Sequence, residues 1–463
     1  MSASALPVIS EQSPGLAVSR GSPLALLGAV VRNPLEALPP EVFHEPLVYS
    51  RIAGRRRVLI SDPTLIHEAL VRNADALVKG EDVRRALGPA LGEGLLTADG
   101  AHWRWQRQSV APAFRHEKLT SLLPAMIAAA EGTRDRWLAS GAKADLSIGH
   151  EMMRTTFDII VETMMLGPGG IDVARVERGI TDYLEPTGWV LALSILKAPD
   201  WIPYPGRRRA AAAASYLRSA ITAMIAERRH SGESREDLVA LLLGAIDPES
   251  GRTMTDGEIA DNLLTFVTAG HETTALGLAW TFHLLAKHPS TEAKVLAEID
   301  EVTKGEPLRP EQVGQLTYTR QVFSEAMRLY PPAPIITRTA IQDFQLGGYT
   351  IPAGTVLVVP IYAVHRHEKI WDVPERFDPE RFAPEQAKTR HRYAYMPFGA
   401  GPRICIGSAF ATMEAVAIMG VLLQGVQLRN ISEETPAASM KVTLRPMRDL
   451  RMRVERRARA EAQ

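Results

Sequence analysis

One cysteine, Cys405, stands among 463 residues. A lone thiol excludes an internal disulfide, a four-cysteine zinc site and a four-cysteine iron–sulfur cluster. Net charge is missing too: 53 basic residues balance 53 acidic ones, so no global attraction to nucleic acid exists and none is expected as a partner. No run reaches the ~18 apolar residues of a spanning helix, because Leu24 to Val31 is short and Gly28 interrupts it. No basic residue precedes Arg20, and no clear hydrophobic segment follows the start. The expectation is therefore no signal peptide, no transmembrane anchor and a cytoplasmic location. Internal repeats and long linkers are absent as well.

What is present is ordinary in bulk. Hydrophobic residues make up 46% and charged ones 23%, which suits a globular chain with a large core. The first 20 residues, with Pro7, Ser13, Pro14 and Gly15, read as a loose arm, and residues 21–463 as a single domain. Arg55 to Ile60 reads as a strand. Asp62 then caps a helix with Pro63 in its first turn, and Asn73 stops it. Most of the chain beyond Asn73 carries helical periodicity, including Leu122, Met126 and Ala130, then Met153, Phe157, Ile160 and Met164. Strands return from Gln345 to Val364. Near the end, Leu450, Met452 and Val454 alternate with Arg451, Arg453 and Glu455, a half-buried strand with a solvated face. The fold class expected is mainly α with small β-sheets (α+β).

The longest helix carries the first anomaly. Thr255 and Glu258 form a capping box, and the pattern continues to Lys287 before Pro289, roughly 30 residues or on the order of 45 Å. Its circumference is largely apolar, yet its middle reads Ala269-Gly270-His271-Glu272-Thr273-Thr274. A charged acid and a helix-weakening glycine are costly in a buried helix. An ordinary solvent-facing turn would explain them equally well.

The second anomaly surrounds the cysteine. In Pro397-Phe398-Gly399-Ala400-Gly401-Pro402-Arg403-Ile404-Cys405-Ile406-Gly407, a glycine-rich loop precedes an apolar helical stretch, Ala409 to Leu423. Unpaired amides and the positive end of the helix dipole favour a thiolate there. Gly401 and Gly407 permit close backbone approach, Phe398 can cover the sulfur, and Arg403 supplies a fixed cation. That set suits an anionic iron ligand beside a carboxylate-bearing haem. A catalytic thiol could use the same loop but would want a histidine base, and none is local.

The string Phe398-x-x-Gly401-x-Arg403-x-Cys405-x-Gly407 resembles the haem-binding signature of the cytochrome P-450 family of haem-thiolate monooxygenases. Three further motifs match in order and approximate spacing: Ala269-Gly270-x-Glu272-Thr273, Glu325-x-x-Arg328, and Phe377-x-Pro379-Glu380-Arg381-Phe382. The resemblance implies the cytochrome P-450 fold, with the long central helix over a buried haem b whose iron is ligated by Cys405. It implies propionate contacts from Trp103, Arg107, Arg403 and Arg338. Glu325, Arg328 and Arg381 would form a buried structural network. Glu272 and Thr273 would be the acid–alcohol pair that delivers protons to dioxygen, the co-substrate, with Gly270 letting the helix open. A pocket lined by Ala269, Ala333, Ile335, Ile336 and Val442 would take a hydrophobic small molecule for hydroxylation. NAD(P)H would supply electrons indirectly, through a ferredoxin or flavodoxin-type donor and its reductase. Arg104, Arg115, His116 and Lys118 offer a basic docking face. A monomer is expected. A peroxide-using or isomerising enzyme of the same fold, and a non-catalytic haem sensor, remain as alternatives.

Overall fold

The computed structural model describes residues 6–13, 16–19, 23–139, 144–164, 173–231 and 237–457. Helices dominate. Those that build the site are α1 (Glu81–Leu91), α2 (Gly100–Val110), α3 (Leu123–Ala139), α4 (Ile148–Met164), α5 (Thr187–Ile195), α6 (Arg207–Ser231), α7 (Asp256–Lys287), α8 (Thr317–Leu329) and α9 (Ser408–Gly425). Thirteen short described strands run from β1 (Ala17–Val18), β2 (Leu47–Ile52), β3 (Arg55–Ile60) and β4 (Leu77–Val78) to β5 (Ala144–Ser147). Then come β6 (Ile336–Ala340), β7 (Phe344–Leu346), β8 (Tyr349–Ile351) and β9 (Val356–Val359). The last are β10 (Val426–Asn430), β11 (Ala438–Met440), β12 (Leu444–Pro446) and β13 (Arg451–Arg456).

The main sheet has the order β1-β2-β3-β9-β6-β4. β2 and β3 join through Ala53 and Gly54, both at positive φ, a two-residue hairpin turn. β3 runs parallel to β9 and β9 antiparallel to β6, so Leu59, Val358 and Thr337 form one row across the sheet. A second sheet, β10-β13-β5, buries Met452 and Val454 of the alternating terminal segment. Two hairpins, β7–β8 and β11–β12, complete the strands.

The capping expectations hold in detail. The Asp62 carboxylate accepts from the Thr64 and Leu65 amides at 2.8 and 3.0 Å. Asn73 closes the segment by donating to the Glu68 carbonyl. Thr255 and Glu258 exchange side chain-to-amide bonds at the start of α7, which then runs unbroken for 32 residues. A solvent-facing turn in its middle is ruled out, since His271 and Glu272 are each 1% exposed. Gly270 lies within the unbroken helix, and a Cβ there would fall 2.4 Å from the Ile160 Cδ1, so α7 packs closely on α4 and a larger residue would make that side-chain end move.

Two expectations are corrected. Ile361–Val364 is a short helix, not the end of a strand region; Pro360 precedes it and the apolar run is compatible with either state. The described part of residues 1–20 is not a loose arm. Ile9 is 1% exposed and its amide donates to Thr350, whose own amide donates to Pro7. Ala17 and Val18 extend the main sheet. Pro14, Gly15 and residues 1–5 lie outside the described residues. Among the described helices, α9 alone is long and apolar enough to cross a membrane, and it is packed in the core.

Candidate functional site

The loop before α9 is shaped by backbone constraints. Gly399 and Gly401 have φ of +78° and +69°, and a Cβ on Gly401 would lie 2.1 Å from the Leu70 carbonyl oxygen. Only glycine fits there. The Cys405 amide donates to the Phe398 carbonyl at 2.8 Å, which folds the loop back on itself between the two. The Gly407 amide hydrogen-bonds the thiol, and Arg107 lies close enough to favour its anion. Burial nevertheless pushes the thiol pKa up. Cys405 is also solvent-accessible. Accessibility inside surrounding protein describes a sulfur on the wall of an internal space, as a ligand to an enclosed prosthetic group requires.

Around that space the cations outnumber the anions. The Arg403 guanidinium sits 3.9 Å from the Trp103 ring centroid, and Arg107 sits 5.8 Å from the same ring. Arg403 donates to the Ala98 carbonyl and pairs with Asp99. Arg338, 8% exposed, donates to the Thr337 carbonyl; burial and then the neighbouring Arg403 push its pKa down to about 10. Lys79 joins them. Burial, then Arg338 and Arg403, hold its ammonium well below the usual lysine range. Five cations (Lys79, Arg84, Arg107, Arg338, Arg403) gather with two carboxylates, Asp99 and Asp82. A group bringing two more carboxylates would relieve that imbalance, so the donor set fits haem. Trp103, Arg107, Arg338 and Arg403 are thus brought together as expected. Lys79 was missed because a lone lysine after a short strand carries no local signal.

Glu325, Arg328 and Arg381 also converge. Arg328 donates to both Glu325 oxygens at 2.7 and 2.8 Å, and both residues are fully buried. Its remaining donors reach the His365, Pro374 and Arg376 carbonyls. Arg381 approaches Glu325 at 3.6 Å without a hydrogen bond and donates instead to the Asp372 and Val373 carbonyls. His365, which sequence reasoning missed, carries the network into the cysteine loop. Its Nδ1 donates to the Arg328 carbonyl and its Nε2 accepts from the Met396 amide, two residues before Phe398. Burial pushes its pKa down to about 3, so the ring is neutral in both roles.

In the middle of α7, Thr273 and Glu272 diverge. The Thr273 hydroxyl is half-buried and donates to the Ala269 carbonyl at 2.8 Å. Glu272 points to the β11–β12 hairpin, where Oε1 accepts from Arg445 Nε at 2.8 Å, Arg445 Nη2 at 2.6 Å and the Thr443 hydroxyl. Behind the same turn, the fully buried Glu414 of α9 faces Thr274, and burial raises its carboxyl pKa well above the usual range.

A cavity of about 190 Å³ opens between the main sheet, α1, α5 and the β11–β12 hairpin. Ile335 and Val442 line it as expected, with Leu87, Leu191 and Ile195. Ala269, Ala333 and Ile336 do not. Ala269 is on α7 next to Thr273, Ala333 is exposed, and Ile336 packs near Gly399 of the cysteine loop. Of the basic face, Arg104, Arg115 and His116 are exposed and Lys118 is half-buried. Phe114, immediately before Arg115, packs beside Gly407.

Known proteins match along nearly the whole chain. The cytochrome P450 family model covers residues 41–449. Cyclooctatin synthase of Streptomyces melanosporofaciens is 34% identical over 90% of this chain and 91% of its own. Cyclooctat-9-en-7-ol 5-monooxygenase of the same organism is 35% identical over 88% of each. Pentalenene oxygenase of Streptomyces avermitilis is 32% identical over 85% of this chain and 86% of its own. The crystal structure of the cytochrome P450DA heme domain aligns with a TM-score of 0.79 at 26% identity, covering 98% of both chains.

Proposed function

The chain belongs to the cytochrome P450 family and is a haem-dependent monooxygenase, and on that premise we propose that Cys405 would ligate the haem iron and that the enzyme hydroxylates a polycyclic hydrocarbon skeleton. Haem bound here supplies dioxygen activation, favoured by electron donation from a thiolate. The observation that carries the ligand assignment is the accessible yet enclosed sulfur with the Gly407 amide and Arg107 beside it.

The chain's own residues divide the remaining work. Lys79, Trp103, Arg107, Arg338 and Arg403 would hold the haem propionates by charge-assisted donation. The Glu325–Arg328–His365 network fixes the loop, and Phe398 and the glycines keep bulk and water from the sulfur. Thr273 Oγ1, already donating to Ala269, keeps its lone pairs free to accept from a water. Glu272 Oε1 is occupied by Arg445 and Thr443, so Oε2 is the oxygen left to accept from a water. The half-exposed Arg445 then separates Glu272 from solvent.

Electrons come from NAD(P)H through a separate ferredoxin or flavodoxin-type partner, docking on Arg104, Arg115 and His116 near Phe114 and the cysteine side. Turnover should slow as ionic strength rises. The substrate class rests on the apolar cavity and on relatives whose names denote oxygenation of pentalenene and of an olefinic alcohol. A cytoplasmic monomer is proposed. Turnover with a surrogate reductase, dioxygen and a hydrocarbon panel tests the assignment; product from polycyclic members supports it, and product only from linear acids overturns it.

A further inference from the structure

The cavity carries polar groups at several points of a mostly apolar lining, and three of them, Arg57, Asp82 and Thr337, lie together in one corner. Its floor is a single face of the main sheet, formed by Ile52, Leu59, Val358 and Ile335, with Arg57 and Thr337 on the same face. Arg57 sits one row along from Leu59–Val358–Thr337 and can extend across the two valines. Asp82, in the first turn of α1, closes the corner and accepts from the Thr337 hydroxyl at 3.2 Å.

Arg57 has a charge partner but no bond. Asp82 lies near enough to favour its cation, yet the guanidinium makes no hydrogen bond or ion pair with any described residue. Its strand neighbours are accounted for otherwise: Arg55 pairs with Glu81 at 3.8 Å. The cavity's other cation, Lys441, pairs with Glu185 at 3.5 Å. Burial lowers the Arg57 pKa, and the half-buried side chain lines the cavity, so its donors are open to a ligand there. Guanidinium groups offer five donors and no acceptor, and carboxylates only accept. A carboxylate ligand would satisfy Arg57 but meet Asp82 as a like charge. One group satisfies both at once: a hydroxyl, whose oxygen accepts from Arg57 while its proton goes to Asp82.

We propose that Arg57, Asp82 and Thr337 form a subsite that seizes the hydroxyl group of an already oxygenated hydrocarbon, leaving the apolar remainder to run toward the haem. The inference deepens the proposed function and rests on it for the position of the reacting end. Such a substrate is supplied by a prior hydroxylation, or by a cyclisation whose carbocation is quenched by water.

The test is optical titration of the haem-loaded enzyme with three probes of one skeleton: decahydronaphthalene, decahydro-2-naphthol and decahydro-2-naphthoic acid. Calorimetry of the alcohol supplies a Kd independent of the haem band. The wild type should bind the alcohol about tenfold tighter than the hydrocarbon, as one well-placed hydrogen-bond pair provides. Arg57→Leu should remove that preference while leaving the hydrocarbon Kd within about twofold. Asp82→Asn should weaken the alcohol and strengthen the acid. An alcohol preference that survives both substitutions, or a wild type that favours the acid, overturns the subsite. Arg57→Gln, which keeps polarity and length, serves if the leucine variant does not load haem. Failure of the hydrocarbon itself to bind would instead strike at the proposed function, so the two outcomes are distinct.

Discussion

Replacing Arg445 by leucine strips Glu272 of its two charged donors. Glu272 is 1% exposed, and only the Thr443 hydroxyl would remain on its Oε1. Breaking a buried pair by removing one partner costs about 3–5 kcal/mol if the survivor stays charged. Arg445→Leu should therefore destabilise the protein by about 3–5 kcal/mol. Unfolding of the haem-loaded protein by urea, followed by circular dichroism, measures it. A Glu272→Gln background should reduce the effect of Arg445→Leu to about 1 kcal/mol, because a neutral amide needs no counter-ion. An undiminished loss in the glutamine background would refute the view that Arg445 compensates the buried Glu272 carboxylate.

The same geometry gives three other expected outcomes. Thr273→Ala should retain haem and bind substrate but release a larger share of reducing equivalents as hydrogen peroxide, read as the ratio of product to NAD(P)H consumed. Lys79→Met should speed haem loss to an apo-globin acceptor roughly tenfold, since one charge-assisted propionate bond is worth about 1.5–3 kcal/mol; an unchanged rate would exclude the contact. Glu414 has a raised carboxyl pKa, so its burden on stability is absent below about pH 4 and grows as pH rises. Glu414→Gln should accordingly raise Tm more at pH 8 than at pH 5, and an equal shift at both would contradict that sign.

The cysteine loop was legible because everything that shapes it is local: two glycines at positive φ, a helix start, Phe398 and Arg403 within ten residues. The capping box of α7 and the strand Arg55–Ile60 were legible for the same reason. Features made by distant segments were not. Arg445 meets Glu272 across 173 positions, and nothing in a hairpin arginine marks it as the partner of a helix acid. His365 joins Arg328 to Met396 through two backbone groups, which leave no trace in side-chain pattern. Lys79 owes its role to charges brought in by Arg338 and Arg403 from far along the chain. Gly270 is visibly unusual in the sequence, but the neighbour it packs against, Ile160, belongs to another helix. Of the pocket residues, only Ile335 and Val442 reach the cavity, because a short apolar stretch does not declare which of its members face inward.

The central claim is that Cys405 holds the haem iron as a thiolate, and the carbon monoxide difference spectrum of the reduced protein tests it most directly. The wild type should show the red-shifted Soret band that thiolate ligation produces, and Cys405→Ser should lose that band even where haem is retained. A wild type without the band, or a serine variant that keeps it, would contradict the account.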